Sequence, residues 1–357
     1  MADQLLIFAG AKADAIIQEE GLQPGTVEVV VGAAGGPKWL VLCGLDRAIF
    51  SDWITDHPGP LFLVGSSIGA WRFAALAIGE DAYEKMKDGY LHQAYTSRPS
   101  AQEVSRISLS ILESFLDNDA VGSALSHPFI RLNVLAVQCR SLFAKDRMAR
   151  LALGMLAACV VNGLSRHALR LFFSRSLFYD DRDLPPFLAM DSLPTETIPL
   201  SPENIRQAVL ASGSIPLIMS GVKAIPGSPD GIYRDGGLVD YHVNIPFSSD
   251  RIVLFPHYVD RITPGWFDKN LFWRKPAKAN LDNLVLLCPS RSFVESLPYS
   301  KIPDRGDFRR FYKKDAERIR YWEMVARKSV VLGEEFRELL QGDRLAKKIR
   351  PISALWE

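Results

Sequence analysis

Along the first ninety residues, two short apolar runs are each followed by a glycine-containing turn and then by apolar residues at helical spacing. Residues 27–31 are almost all valine and end at Gly32-Ala33-Ala34-Gly35-Gly36, after which residues 39–50 repeat apolar positions every three or four. Residues 60–64 form a second apolar run, ended by Gly65, and residues 68–78 are again helix-like. Short continuous apolar runs bounded by turn signals suit strands buried on both faces, and strands alternating with helices predict an α/β fold with a mostly parallel central sheet flanked by helices. Residues 130–139, 251–255 and 284–288 are further strand candidates. The Asp- and Pro-rich stretch 179–199 predicts a surface loop. Ser201-Pro202-Glu203 offers an N-cap and a first-turn proline for a helix ending near residue 210. Residues 307–340 predict one charged helix with Phe308, Phe311, Tyr312, Ile319 and Trp322 along one face.

The apolar segment 147–173 is flanked by Arg147, Arg150, Arg166 and Arg170. Its longest uninterrupted part, 151–164, contains Asn162 and is shorter than the roughly 20 residues a membrane-spanning helix needs. Apolar in the centre and basic at both ends, it suits a helix resting on an anionic membrane surface or capping an acyl-chain pocket. A buried core helix whose arginines reach solvent fits the same pattern. Asp3 stands where a secretion signal carries a basic residue, so a cytoplasmic protein is expected, with peripheral contact at the inner face of a membrane through 147–173.

The chain has 357 residues, and 42 Lys plus Arg stand against 41 Asp plus Glu, a net charge of +1. That balance argues against a general nucleic-acid-binding role. Cys43, Cys139, Cys159 and Cys288 are scattered in apolar settings with no CxxC pair, so they read as reduced, buried thiols; no metal or cofactor is expected.

Three short motifs can carry chemistry. Gly65-Ser66-Ser67-Ile68-Gly69 is a GxSxG pentapeptide placed where a buried strand becomes an apolar helix, an arrangement that pushes a serine hydroxyl out of a tight turn. Gly35-Gly36-Pro37-Lys38 also lies between strand and helix, and its backbone N–H groups can hold a phosphate or an oxyanion. A nucleotide P-loop needs Gly at position 37 and Ser or Thr at 39, where this chain has Pro37 and Trp39. Asp235-Gly236-Gly237 is either a tight turn or a carboxylate presented on an unobstructed loop, and a serine needs a base, carboxylate or histidine, to become a nucleophile.

In this order the three motifs resemble the patatin-like phospholipase family, and Ala211-Ser212-Gly213-Ser214-Ile215-Pro216 resembles the ASxxxP stretch that family carries before its aspartate. The resemblance spans roughly residues 27–246. It implies a three-layer α/β sandwich forming a single domain over 1–357, with 90–200 as a partly helical insertion or cap and 305–357 as a C-terminal helical extension. It also implies a lipid acyl hydrolase, of phospholipase A, lysophospholipase or carboxylesterase type, that works through an acyl-enzyme. Ser67 would be the nucleophile, Asp235 the base, and the N–H groups of Gly35 and Gly36 the oxyanion hole, supported by Lys38, Gly65, Gly69, Gly236 and Gly237. Two other readings stay open. One is an α/β-hydrolase esterase with a Ser-His-Asp triad, for which His242 and His257 follow Asp235. The other is a patatin-shaped lipid-binding module with little or no activity.

Overall fold

The apolar runs become strands of one mixed sheet. The computed structural model describes residues 3–95, 99–189, 191, 193–342 and 344–356. Among them eleven strands join in a single sheet: β1 (Leu5–Ala9), β2 (Val27–Gly32), β3 (Leu61–Ser66), β4 (Ile130–Cys139), β5 (Phe173–Tyr179), β6 (Thr195–Pro199), β7 (Val222–Lys223), β8 (Ile232–Asp235), β9 (Ile252–Pro256), β10 (Leu284–Pro289) and β11 (Ile349–Pro351). The order is β11-β1-β10-β9-β2-β3-β4-β5-β6, with β8 also on β4 and β7 on β8. The run from β10 through β9, β2 and β3 to β4 is parallel; β1, β5 and β8 pair antiparallel with their neighbours β10, β4 and β4. Helices flank this mostly parallel sheet, the α/β architecture that the alternation of the N-terminal elements predicts.

Parallel strands covered on both faces must be apolar throughout, and β3 and β9 are buried at every position. The helix Ile68–Ile78 packs on β2, β3 and β4 and is itself buried almost all round. Its close approach to β2 depends on Gly69, where a Cβ would stand 2.1 Å from the Gly32 carbonyl oxygen.

Several boundaries differ from the sequence reading. Residues 39–50 do not make one helix. The chain forms a 3₁₀ stretch Gly36–Leu42, an α-helix Cys43–Arg47 and a π-helical segment Ala48–Trp53. Gly44 lies against Ser329, and Gly333 of the helix Val330–Leu340 lies against Gly44, so two glycines let these backbones cross at close range. The charged stretch 307–340 is three helices, Asp307–Arg310, Asp315–Lys328 and Val330–Leu340. Lys313 at φ 60° lies in the turn between the first two, where Tyr312 is exposed while Phe311 and Trp322 stay buried. Within 179–199 the loop ends in a strand, because Thr195–Pro199 adds β-branched residues parallel to β5 at the sheet edge. The helix expected from Ser201 begins at Ile205 instead. Asn204 ties the preceding turn, accepting from the Ser201 N–H and donating to the carbonyls of Pro199 and Pro226.

Residues 90–200 supply β4, β5 and β6, so they are part of the sheet and not only a cap. The C-terminal stretch likewise adds a strand, β11, beside β1. Within 147–173 the helix is Met148–Leu164, a 3₁₀ stretch follows, and Phe173 already opens β5. That helix buries Leu151, Gly154, Ala158 and Asn162 against a separate apolar cluster with Phe143, Phe173 and Phe267. Its other face leaves Leu153, Leu156, Val160 and Leu164 in solvent, the last 85% exposed. Cys159 lies on that outer side and is exposed, unlike the other three cysteines. No helix among the described residues is long and apolar enough to cross a membrane.

Candidate active site

The register of β4 brings Ser67 and Asp235 together. On one edge β4 pairs antiparallel with β5. On its other edge it pairs first with β3, ending at Ser66 opposite Leu135, and then with β8, ending at Asp235 opposite Ala136. Two strands therefore finish end to end on consecutive positions of β4, and the residues at their ends meet although 168 positions separate them in sequence. The meeting point lies beyond the carboxyl ends of β2 and β3, where open α/β sheets hold their ligands.

Ser67 has φ 55° and ψ −126°, a backbone region that side-chain-bearing residues rarely enter, and it caps the N-terminus of Ile68–Ile78. The turn is held from behind. The Ser67 N–H donates to Ser212 Oγ at 2.8 Å, and Ser212 Oγ donates to the Leu135 carbonyl at 2.6 Å. Ser212 belongs to the ASxxxP stretch, which the sequence places near the aspartate without revealing that it braces the serine. Ser67 Oγ donates to Asp235 Oδ2 at 2.7 Å, and the Gly237 N–H donates to Asp235 Oδ1 at 2.7 Å. Ser67 is only 2% exposed and Asp235 6%. Burial raises the Asp235 pKa above that of an ordinary carboxylic acid, and Arg305, the Ser67 hydroxyl and the Gly237 N–H offset part of that rise.

Gly65, Gly69, Gly236 and Gly237 are all buried in the two turns. Gly35 and Gly36 stand at the start of the 3₁₀ stretch, Gly36 at φ 58°, a conformation that favours glycine. Neither backbone N–H has an acceptor among the described residues. Gly35 lines one chamber beside Ser67 and Gly36 lines another. Lys38 points into the first chamber, 4.8 Å over the Tyr258 ring.

The histidines are elsewhere. His242 bonds the Tyr258 hydroxyl through Nε2 and lies against the Arg261 carbonyl and Thr263 N–H through Nδ1. His257 contacts Val259 through Nδ1. Burial holds both far below the usual histidine pKa, His257 at about 3, so both are neutral rings in the interior and neither contacts Ser67. The position at Ser67 Oγ that a triad histidine takes is filled by Asp235.

Two cavities meet at Ser67. The larger, of about 500 Å³, is lined by Asp235, Lys38, Lys269, Arg305, Tyr241 and Trp266 among others. The smaller, of about 280 Å³, is lined mainly by apolar and aromatic groups, including Trp71, Tyr90, Tyr95 and Phe308. Ser67, Ile215, Ile218 and Arg305 border both. Lys269 and Arg305 carry no sequence signal of a site; they stand on loops beyond the last motif. Among the described residues no group of three or more His, Cys, Asp or Glu side chains is placed to hold a metal ion. Comparison of the sequence with models of known protein families and with curated proteins finds no match.

Proposed function

We propose that this chain is a serine hydrolase of lipid-like acyl esters that works through a Ser67–Asp235 dyad. The observation that carries the reading is the 2.7 Å hydrogen bond from a buried serine in an elbow turn to a buried carboxylate whose other oxygen is already fixed by a backbone N–H. In the first step Ser67 Oγ bonds to the ester carbonyl carbon and its proton passes to Asp235. The carbonyl oxygen takes the negative charge, facing the free N–H groups of Gly35 and Gly36. Collapse breaks the bond to the alcohol, which leaves with the proton from Asp235. Water then attacks the acyl-serine, giving one proton to Asp235, which returns it to Ser67 as the acid departs. A fluorophosphonate probe should label the protein once per chain at Ser67, read by peptide mass. Labelling elsewhere with Ser67 untouched counts against the dyad.

The lipid side of the reading rests on the outer face of Met148–Leu164. Met155 of the same helix lines the larger chamber. The loop carrying Phe272, 82% exposed, and Trp273 is tied to that helix by Arg274, which donates to the Asn162 carbonyl. Leu153, Leu156, Val160 and Leu164 are thus exposed apolar groups on a helix that reaches the chamber, and Phe272 and Trp273 are exposed on the loop tied to it, while Arg147, Arg150 and Arg170 are exposed as well. Arg166 plays a different part, pairing with Asp268 at 3.0 Å and the Val239 carbonyl. The protein should float with anionic liposomes. Changing Arg147, Arg150 and Arg170 to Gln should weaken that binding by about a hundredfold, since each surface cation adds about 1 kcal/mol. Native protein that stays unbound removes the lipid-surface part of the proposal and leaves the dyad standing.

A further inference from the structure

Three cations face the chamber that holds Asp235, and two of them, Lys38 and Lys269, lack the partners such groups normally find. Lys38 and Lys269 are partly buried, yet neither ammonium makes a hydrogen bond or an ion pair among the described residues. Lys38 lies over the ring of Tyr258, and Lys269 lies 4.0 Å over Tyr241 and 5.4 Å over Trp266. Arg305 stands 4.0 Å from Asp235. The two nearby carboxylates are already engaged, Asp235 with Ser67 and Gly237, and Asp304 with Lys301 at 3.0 Å. Desolvated ammonium groups whose nearest carboxylates are bonded to other groups are expensive to hold, and they occur where a ligand supplies the missing partner.

The direction of the reaction decides which half of the ester carries that charge. Asp235 must deliver its proton to the leaving alcohol, and Asp235 lines the cationic chamber but not the aromatic one. The alcohol half therefore lies with the cations, and the acyl half lies among Trp71, Tyr90, Tyr95 and Phe308. We propose that the substrate of Ser67 is an anionic ester, with a phosphate, sulfate or carboxylate on its alcohol side held by Lys38, Lys269 and Arg305, and with its acyl group in the aromatic chamber. This rests on the dyad reading for its orientation, whereas the anion subsite itself is open to a test that needs no catalysis.

Lys269 gives the subsite a pH signature. Burial, then Lys38 and Arg305, pull its pKa down to about 7, while Asp235 and Asp304 pull the other way and Tyr241 and Trp266 flank it. A bound anion favours the charged form, so affinity for an anion of constant charge is full below that pKa and falls as pH rises through it.

The test is binding of hexyl sulfate to the native protein, followed by calorimetry, with hexanol and inorganic sulfate in parallel. Hexyl sulfate should bind most tightly of the three and weaken between pH 7 and 9. Lys269→Gln and Lys38→Gln should each lower its affinity about tenfold, the effect of losing one hydrogen bond to a charged group. Hexanol binding should change far less in these variants. In turnover, the same variants should lower the preference for an anionic ester over a neutral one of equal chain length by a similar factor. Hexyl sulfate that binds no better than hexanol, or unchanged by both substitutions, overturns the anion subsite. Inorganic sulfate binding as tightly as hexyl sulfate overturns the two-chamber placement. Failure of the dyad reading has a different mark: hexyl sulfate binds as expected while neither ester is cleaved and the fluorophosphonate leaves Ser67 unlabelled.

Discussion

Ser67→Ala should lower kcat/KM for ester hydrolysis by about a thousandfold or more, the size of effect that follows loss of a serine nucleophile elsewhere. The hydroxyl is the only part of the side chain that the proposed chemistry uses, and alanine can occupy the same turn because the brace from Ser212 acts on the backbone N–H. Fold and inactivity are therefore separable. A second variant sharpens the argument. At φ 55° and ψ −126° a residue with a Cβ is strained by about 1–3 kcal/mol, and Ser67→Gly relieves that strain. The glycine variant should be as inactive as the alanine variant and should melt at a higher temperature. A strained serine kept where glycine is easier to accommodate is what a site selected for chemistry predicts. A folded Ser67→Ala protein that turns over ester at a near-native rate would sink the assignment.

The local part of this site was legible in the chain, and the long-range part was not. A valine run ending in Gly35-Gly36, and an apolar run ending in Gly65-Ser66-Ser67, each mark a buried strand entering a turn, because burial on both faces removes the polar alternation of an exposed strand. Asp235 was legible only as a carboxylate on a glycine turn. Its contact with Ser67 depends on β3 and β8 ending at adjacent positions of β4, a register that no local pattern encodes. Ser212 was visible within a motif but not as the brace of the Ser67 N–H. Lys38 was visible too, yet it faces the chamber through which the alcohol would leave. Lys269 and Arg305 come from loops, where position is set by tertiary packing and periodicity is absent. The same reason explains the segmented helices. Apolar spacing continues through 307–340, but Lys313 adopts positive φ, and the Ser329 hydroxyl at the last junction accepts from Gly44 N–H. Those are tertiary events superimposed on a helical pattern.

Asp235→Asn should reduce kcat by about a thousandfold or more while leaving the fold intact. The Gly237 N–H needs an acceptor, so the asparagine carbonyl oxygen takes that place and its NH₂ turns toward Ser67 Oγ. The hydroxyl then faces a donor that cannot receive its proton, with nearly the same shape in the pocket. With Asp235 as the base, the proposed chemistry requires the charged carboxylate, so kcat/KM should be present above the folded pKa of Asp235 and be lost as pH falls through it. Because burial raises that pKa, the loss should begin at higher pH than for an exposed aspartate. Stability runs the other way. A carboxylate whose folded pKa lies above its unfolded value destabilises the fold at neutral pH, and that penalty disappears as pH falls through the folded pKa. Asp235→Asn removes the penalty at pH 7, so the inactive variant should unfold at the same denaturant concentration as the native protein or a higher one. His242→Gln, at a ring buried against Tyr258 and away from Ser67, separates the dyad from a triad. If a folded His242→Gln or His257→Gln protein lost activity while Asp235→Asn kept it, the proton would be going to a histidine and the dyad would be wrong.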